Sequence, residues 1–211
     1  MKKLLIYGAS YPDIVNLIDA INQDSPEWDV VGVIDDVSTQ EDFLGYPILG
    51  GHEVLQQRSY GDCVVANNVF SRPTARRQVA DRIAEYGHRA ASLIHPSVTL
   101  RRVKLGEGVV MMEGVKIGAG SVVGNFVAAR YNAIINHDNQ IGNFAFLGPS
   151  VTLCGHVTVG DGAYIGAGAV VRERLQIGVD AMVAMGAVVV SPVADRTTVM
   201  GNPARPRELV R

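Results

Sequence analysis

The sequence predicts two architectures in one chain, a small parallel α/β domain followed by a stack of six-residue repeats. Three observations predict this: apolar runs alternate with helical patterns in the first ninety residues, an apolar residue recurs at every sixth position from residue 105, and Gly and Val are concentrated in the second half. Residues 98–211 contain 16 of the 23 Gly and 21 of the 31 Val in the 211-residue chain. Because the composition changes near residue 97, we predict one domain over residues 1–95 and a second over residues 96–211.

The first domain is predicted to be α/β because short apolar runs alternate with segments of helical periodicity. Apolar residues follow Pro12 at the spacing of one helix face, and a second helix is expected to begin at Pro73. The predicted strands are Leu4–Tyr7, Val30–Ile34, Cys63–Ala66 and Ala91–Ile94.

Polar clusters follow three of these strands, and the ligands of parallel sheets bind at the carboxyl ends of the strands. The complete dinucleotide motif G-x-G-x-x-G is missing, since only Gly8 of it is found. A nucleotide or nucleotide-sugar therefore fits better than a dinucleotide, and the alternative is that the clusters only form turns and loops. The clusters are Gly8-Ala9-Ser10, Asp35-Asp36 and Asn67-Asn68.

The overall composition excludes several classes of protein. With 47% hydrophobic and 19% charged residues the chain is too apolar to be disordered, and its net charge of −2 disfavours nucleic acid as the main partner. Cys63 and Cys154 lie in different halves without metal-ligand spacing, which predicts a reducing compartment and no disulfide framework. No apolar run is long enough for a signal peptide or a membrane span, so we expect a cytoplasmic protein with no membrane partner.

The second half repeats with a period of six residues. Every sixth residue from Leu105 to Val189 is apolar in all fifteen cases, Gly follows it in eight of fifteen, and the residue four positions after it is small or aliphatic in fourteen of fifteen. Each hexad is predicted to be a short strand and a corner, with the aliphatic side chain turned inward and the Gly accepting the dihedral angles of the corner. One hexad buries little alone, so stacking must supply the core.

The hexad Ile135–Gln140 departs most from the repeat. Asn136 stands where Gly is usual, and Asn139 is clearly polar at a small inward position, which costs free energy unless its amide is hydrogen-bonded. His137 is followed by Asp138, and a neighbouring carboxylate can fix the tautomer of an imidazole and raise its basicity. From these residues alone, a general base and an exposed corner histidine are equal alternatives.

Four segments together resemble the bacterial sugar acyltransferases that join a Rossmann-like domain to a left-handed parallel β-helix of hexapeptide repeats. This resemblance covers the whole chain and implies triangular coils built from three hexads each. Relatives include sialic acid O-acetyltransferases and N-acetyltransferases acting on nucleotide-linked amino sugars. The segments are Leu5-Ile6-Tyr7-Gly8-Ala9-Ser10, Val33-Ile34-Asp35-Asp36, Ile135-Asn136-His137-Asp138 and Met200-Gly201-Asn202-Pro203-Ala204-Arg205.

The resemblance implies an acetyl-CoA-dependent transferase that forms homotrimers, with His137 as general base and Asp138 as the acid that assists it. No metal is expected. Gly155 follows His137 by three hexads and should therefore lie directly beneath it, one coil further on. The resemblance also implies two groups of binding residues. The acetyl-CoA contacts are expected near Gly155, Ala167, Ala184, Met185 and Gly186. Nucleotide-sugar contacts are expected at Gly8, Ala9, Ser10, Asp35, Asp36 and, from its strand end, Asn67.

The chain departs from the family pattern at two places. Ser10-Tyr11-Pro12 stands where members often have Gly-Gly-His, and Phe146 occupies the position of a second histidine that contacts the acyl carrier in better-known N-acetyltransferases. Phe146 therefore either replaces that contact or packs instead. His156, which follows Asp138 by three hexads, is expected either to approach the same groove or to be a solvated corner.

The expected reaction is direct attack of a nucleotide-linked amino sugar on the thioester in a ternary complex. Cys154 is out of coil register with His137, which disfavours a covalent acyl-enzyme. O-acetylation of a sugar hydroxyl and a non-catalytic sugar-nucleotide scaffold are the alternatives. A metal-dependent β-helix is disfavoured because the repeat region has only two histidines, His137 and His156, for a site that needs three.

Overall fold

The computed structural model describes residues 1–70 and 73–207. The chain divides into two compact units, Met1–Pro96 and a second unit that begins at Ser97. Neither of the two described α-helices is long and apolar enough to cross a membrane.

The first unit is built on a six-stranded sheet with strand order β3-β4-β2-β1-β5-β6. Strands β4, β2, β1, β5 and β6 run parallel, and β3 pairs antiparallel with β4. Two 3₁₀ turns, His52–Gln56 and Arg58–Tyr60, lie between β4 and β5. The elements are β1 Lys2–Tyr7, α1 Asp13–Asp24, β2 Trp28–Ile34, β3 Asp42–Phe43, β4 Tyr46–Gly50, β5 Val64–Asn67, α2 Pro73–Glu85, β6 Arg89–Ala90 and β7 Leu93–Ile94.

This unit confirms the predicted alternation of strands and helices but differs from the prediction in two places. The strand that pairs with β5 is Arg89–Ala90, two residues before the predicted start at Ala91. The hairpin β3–β4 was not predicted, because its strands are only two and five residues long. Its sequence signal is the turn Leu44-Gly45, where both residues have left-handed φ angles of 53° and 86°.

The second unit is a parallel β-helix of two-residue strands arranged on three faces. Face 1 comprises β8 Lys104–Leu105, β11 Val122–Val123, β14 Gln140–Ile141, β17 Thr158–Val159 and β20 Gln176–Ile177. Face 2 comprises β9 Val110–Met111, β12 Ala128–Ala129, β15 Phe146–Leu147, β18 Tyr164–Ile165 and β21 Met182–Val183, and is extended by β23 Thr198–Met200 and β24 Arg205–Pro206. Face 3 comprises β10 Lys116–Ile117, β13 Ile134–Ile135, β16 Thr152–Leu153, β19 Val170–Val171 and β22 Val188–Val189.

Strands of one face pair in register with strands one coil away. Ile135 pairs with Leu153 and Leu147 with Ile165, so each coil contains three hexads, as the resemblance implied. The aliphatic residue of the repeat points inward, and Leu153 and Val171 are fully buried. The core of this unit is therefore a continuous column of aliphatic side chains, each stacked on its equivalents in the neighbouring coils.

The role assigned to the Gly that follows each aliphatic residue was wrong. The left-handed φ of each corner falls two residues later, for example at Gly168 with φ 68°, and not at Gly166. The Gly is required because the next coil approaches closely: a Cβ on Gly166 would lie 2.5 Å from the backbone nitrogen of Met185. Close backbone packing between coils, not turn conformation, therefore explains the Gly in this position.

Candidate functional site

His137 and Asp138 lie on the corner between faces 3 and 1, which we call the dyad corner and which comprises residues 118–121, 136–139 and 154–157. His137 Nδ1 lies 2.8 Å from Asp138 Oδ2, and the two side chains are 60% and 50% exposed. With the carboxylate accepting the Nδ1 proton, the lone pair of the ring lies on Nε2. The pair thus presents a basic nitrogen to solvent on a rigid backbone.

The backbone at Asp138 has the left-handed conformation of a corner residue. Its φ is 58°, and its N–H donates to the Ala119 carbonyl at 3.0 Å in the previous coil. His156 has the equivalent position one coil later, with φ 60° and its N–H bonded to the His137 carbonyl at 3.1 Å. Both residues therefore have the left-handed φ that this position has at the other corners of the β-helix, for example Asn132 with φ 59° and Arg174 with φ 60°.

His156 contributes a second imidazole to the same corner. Its Nε2 lies 3.8 Å from Asp138 Oδ2, and its ring meets the His137 ring edge to face with centroids 5.1 Å apart. Of the two alternatives for His156, the structure therefore favours proximity to the dyad, although the side chain is still 47% exposed.

Gly155 lies against the His137 ring. A Cβ at Gly155 would lie 2.7 Å from His137 Cε1 and 2.8 Å from Nε2, so only a residue without a side chain leaves the ring where it is. In residues 1–70 and 73–207, the Gly155 N–H donates no hydrogen bond. A base and an uncommitted backbone donor therefore lie next to each other.

The residues expected to contact acetyl-CoA do not all lie on the dyad corner. Ala167 and Ala184-Met185-Gly186 lie on the corner between faces 2 and 3, where the Gly186 N–H donates to the Ala167 carbonyl at 2.8 Å. Met185 is 80% exposed there. In a single chain, face 3 separates this corner, which we call the methionine corner, from the dyad corner.

Phe146 lies on face 2, away from the dyad corner. It is 8% exposed and its ring stacks on Tyr164, with centroids 4.8 Å apart and an interplanar angle of 5°. The alternatives for Phe146 were a contact with the acyl carrier and packing, and the contacts seen here are packing contacts.

The first unit contains a cavity of about 240 Å³ at the carboxyl ends of its strands. Gly8, Ser10, Asp35 and Asp36, which the sequence singled out, line it together with Arg82 of α2 and others. Gly8 has φ 110°, and a Cβ there would lie 2.9 Å from Val69 Cγ2, so the turn requires Gly. Arg82 was not predicted, because nothing in the helical pattern of α2 marks it.

Asp36 is the centre of a polar network in this cavity. Its carboxylate accepts a hydrogen bond from Tyr7 Oη at 2.7 Å, contacts Arg82, and lies 2.9 Å from His52 Nδ1. Burial alone would raise the pKa of Asp36, but the hydrogen bonds from Tyr7 and His52 and the charge of Arg82 outweigh it and lower the pKa to about 2. Burial and the carboxylate raise the pKa of Tyr7, so its hydroxyl stays protonated as a donor.

The low pKa of Asp36 predicts an acid-dependent loss of stability. A carboxylate with a depressed pKa stabilises the fold above its unfolded pKa of 3.8, and this contribution is lost as the pH falls towards 2. We expect Asp36→Asn to have a lower free energy of unfolding than the wild type at pH 7 and a smaller difference from it at pH 3. Urea titrations at both pH values measure this.

The matched control is Asp62→Asn, because Asp62 pairs with Lys3 at 3.1 Å on the surface, where its side chain is 66% exposed. Solvent screens such a pair, so this variant should follow the wild type closely at both pH values. An equal pH dependence of the wild type and Asp36→Asn would contradict the assignment.

The side chains of two other polar residues at the strand ends are hydrogen-bonded to the backbone of neighbouring loops and helices. Asp35 accepts hydrogen bonds from the backbone N–H groups of Ala9, Val37 and Ser38 at 2.7–2.9 Å, which shapes the loops around the cavity. Asn67 is 3% exposed, donates to the Arg76 carbonyl and accepts from the Val69 N–H. Its side chain therefore holds the loop after β5.

Two groups of side chains are of the types that bind metals. In His137, Asp138 and His156, and separately in Asp36, His52 and Glu53, the candidate ligand atoms lie within 4.8 Å of one another. The central carboxylate of each group is already engaged by its histidine in a hydrogen bond or ion pair. Exposed acidic groups commonly lie this close to one another without a metal.

Comparisons with known proteins agree with this architecture. Residues 140–173 match the family model described as bacterial transferase hexapeptide (six repeats). No curated protein sequence matches the chain significantly.

Solved structures match almost the entire chain. The acetyltransferase domain of PglB from Neisseria gonorrhoeae, in complex with acetyl coenzyme A, is 28% identical with a TM-score of 0.87, covering 98% of this chain and 99% of that one. PerB from Caulobacter crescentus, in complex with CoA and GDP-perosamine, is 28% identical with a TM-score of 0.88, covering 98% and 97%. WeeI from Acinetobacter baumannii is 26% identical with a TM-score of 0.85, covering 97% and 99%.

The repeat, the three-faced helix and these likenesses define the fold as an α/β unit followed by a left-handed β-helix of hexapeptide repeats. The resemblance to the bacterial sugar acyltransferases that the sequence indicated is confirmed, and the chain is an acyltransferase.

Proposed function

We propose that the protein transfers the acetyl group of acetyl-CoA to the amine of a nucleotide-linked amino sugar, with His137 as general base. The observation that carries the proposal is the His137–Asp138 hydrogen bond of 2.8 Å beside the uncommitted N–H of Gly155. The relatives with acetyl coenzyme A, or with CoA and GDP-perosamine, support the choice of both substrates.

In the proposed reaction His137 Nε2 removes a proton as the sugar nitrogen attacks the thioester carbonyl. The new C–N bond gives a tetrahedral intermediate, and its collapse breaks the C–S bond. The CoA thiolate that leaves takes its proton from the imidazolium, which returns His137 to its starting state. Asp138 holds the ring tautomer and stabilises the imidazolium, and general base catalysis of this kind contributes about 10²–10⁴-fold.

The Gly155 N–H is proposed to stabilise the negative oxygen of the intermediate. It adjoins the ring that accepts the proton and donates no other hydrogen bond in the described residues. Backbone donors fixed before the reaction are effective because they need no reorganisation as the charge develops.

The α/β unit is proposed to bind the nucleotide of the acceptor in the 240 Å³ cavity. Asp36 supplies carboxylate oxygens suited to ribose hydroxyls, and Arg82 supplies a cation suited to phosphate. This assigns nucleotide-sugar binding to the predicted domain 1–95 and acetyl transfer to the predicted domain 96–211.

A homotrimer is proposed because three of the five outward residues of face 3 are apolar and both corners with expected acetyl-CoA contacts border it. Ile134 and Val170 point outward on face 3 and are 40% and 37% exposed. Three copies that pack around an axis near face 3 would bring the methionine corner of one copy towards the dyad corner of the next. The acyl donor would then bind between subunits.

Charges on face 3 should therefore separate the subunits. We expect the double variant Ile134→Lys/Val170→Lys to be monomeric by light scattering and to lose at least about tenfold in activity, because an interface cannot bury unpaired charges. The matched control is Gln140→Lys/Gln176→Lys, which places the same charges on the exposed residues of face 1. A wild-type monomer, or a charged face 3 variant that remains a trimer, would contradict the proposal.

The proposed function is tested by measuring thioester consumption with acetyl-CoA and a panel of nucleotide-linked amino sugars, free amino sugars and sialic acid. Turnover with a nucleotide-linked amino sugar, with the acetyl group on nitrogen, is the expected result. Turnover only with a sugar hydroxyl would replace it by O-acetylation. Tight binding of a nucleotide-sugar without turnover of any thioester would indicate a scaffold.

A further inference from the structure

Two polar side chains occupy the interior of the β-helix at the dyad corner. Ser121 and Asn139 are 1% and 0% exposed, at the inward position that Ala163, Ala169 and Ala181 occupy in other coils. Burying a hydroxyl and an amide costs free energy unless they are hydrogen-bonded, so their presence in a column of aliphatic groups needs a reason.

The two side chains form a continuous chain of hydrogen bonds across three coils. The Asn136 carbonyl accepts from Asn139 Nδ2 at 2.7 Å and from Ser121 Oγ at 3.0 Å. Ser121 Oγ in turn accepts from the Asn139 N–H at 3.2 Å. Asn139 Oδ1 accepts from the Val157 N–H at 2.7 Å in the following coil. The buried polar atoms of both side chains are therefore satisfied within the described residues.

These bonds replace an ordinary turn. At several corners between other faces the backbone closes on itself: the Ala163 N–H donates to the Gly160 carbonyl at 3.2 Å and the Ala169 N–H to the Gly166 carbonyl at 3.1 Å. The equivalent bond from the Asn139 N–H to the Asn136 carbonyl gives way to the side chains of Ser121 and Asn139. At Asn139 side chains from two coils thus bond the N–H and the carbonyl that this backbone bond joins at those corners.

We infer that Ser121 and Asn139 are positioning residues for His137, an inference that rests on the proposed function of His137 as base. The carbonyl they hold belongs to the peptide that joins Asn136 to His137, so two donors fix the plane from which the His137 side chain projects. Asn139 also holds Val157, on the corner that carries Gly155. One amide therefore ties together the ring and the glycine on which it lies.

The effect of losing these bonds follows from geometry. A rotation of the Asn136–His137 peptide is magnified along the side chain, so His137 Nε2 moves more than the backbone does. Misplacement of a reacting group by about 1 Å can cost about 10²-fold in rate. Substrate binding depends on other residues, so KM should change little.

The test compares Ser121→Ala and Asn139→Ala with Val127→Ala, a fully buried residue of the same register on the corner between faces 1 and 2. We expect kcat to fall at least about tenfold in Asn139→Ala and severalfold in Ser121→Ala, with KM for both substrates within twofold of the wild type. Val127→Ala should lose at least as much in Tm as Ser121→Ala yet keep its kcat. Ser121→Thr, which retains the hydroxyl, should restore kcat.

A second readout needs no substrate and separates this inference from the proposed function. In protein labelled with ¹⁵N-histidine, the Nδ1–H signal of His137 should shift or exchange faster in Ser121→Ala, while the His52 signals stay unchanged. If the wild type turns over no thioester, the proposed function fails and this spectrum still decides the inference.

Unchanged His137 signals in Ser121→Ala would overturn the inference, as would a fall in kcat that Val127→Ala matches at equal loss of Tm. Ser121→Ala removes a single hydroxyl, so it carries the test even if Asn139→Ala does not fold.

Discussion

Replacing His137 by alanine is expected to lower kcat by about two to four orders of magnitude, because no other described side chain presents a base that a carboxylate holds next to Gly155. The Tm should change little, since the side chain is 60% exposed. Thioester consumption and thermal unfolding of the purified variant measure the two effects. Near-normal turnover with an intact fold would refute the role of His137.

Cys154→Ala is the control for a covalent route. Cys154 is a free thiol, half-buried beside Gly155 in sequence, and the proposed direct attack makes no use of it. This variant should keep the activity of the wild type. Loss of activity in Cys154→Ala with an intact fold would instead indicate an acyl-cysteine intermediate.

Gly155→Ala is expected to lower kcat by about 10²-fold. The added Cβ would lie 2.7 Å from His137 Cε1, closer than van der Waals contact allows, so the ring must move away from its place over the glycine. The backbone itself tolerates alanine, because Gly155 is not among the residues with positive φ. A crystal structure of the variant should show His137 displaced, with the coils unchanged.

Two comparisons distinguish ring displacement from general damage. Glu173→Ala changes the residue at the same corner position one coil further on, where the side chain is exposed, and should leave kcat unaffected. In a His137→Ala background, Gly155→Ala should cause little further loss, because the ring it displaces is missing. Additive losses in the double variant would show that Gly155 acts independently of His137, as an oxyanion donor damaged by the substitution would.

Much of the second unit could be predicted, because a six-residue period indicates which residues have equivalent positions in successive hexads. The spacing of three hexads that puts Gly155 beneath His137 is a property of the coil, and any residue pair at that spacing would be stacked in the same way. The exception is the reason for the repeated Gly. The period marks the position but not its cause, which is the close approach of the next coil.

The first unit was less predictable because its site is assembled by residues without a period. Asp36 could be found from its place after a strand, but Tyr7, His52 and Arg82 converge on it only through the packing of β1, the turn after β4 and α2. Asn67, like Asp36, is a polar residue at the end of a predicted strand. Its side chain is buried, however, and is hydrogen-bonded within the protein.

The sequence by itself determined the two architectures and the position of the His137–Asp138 pair, since these depend on local pattern and a regular repeat. The tertiary structure alone decided which polar groups are free to act. In the structure His156 lies near Asp138, and Arg82 forms an ion pair with Asp36. Asn139 and Ser121 are buried and donate hydrogen bonds to the carbonyl of the peptide that precedes His137. The physical reason is that a hydrogen bond depends on distances of a few tenths of an ångström between side chains, which no spacing along the chain specifies.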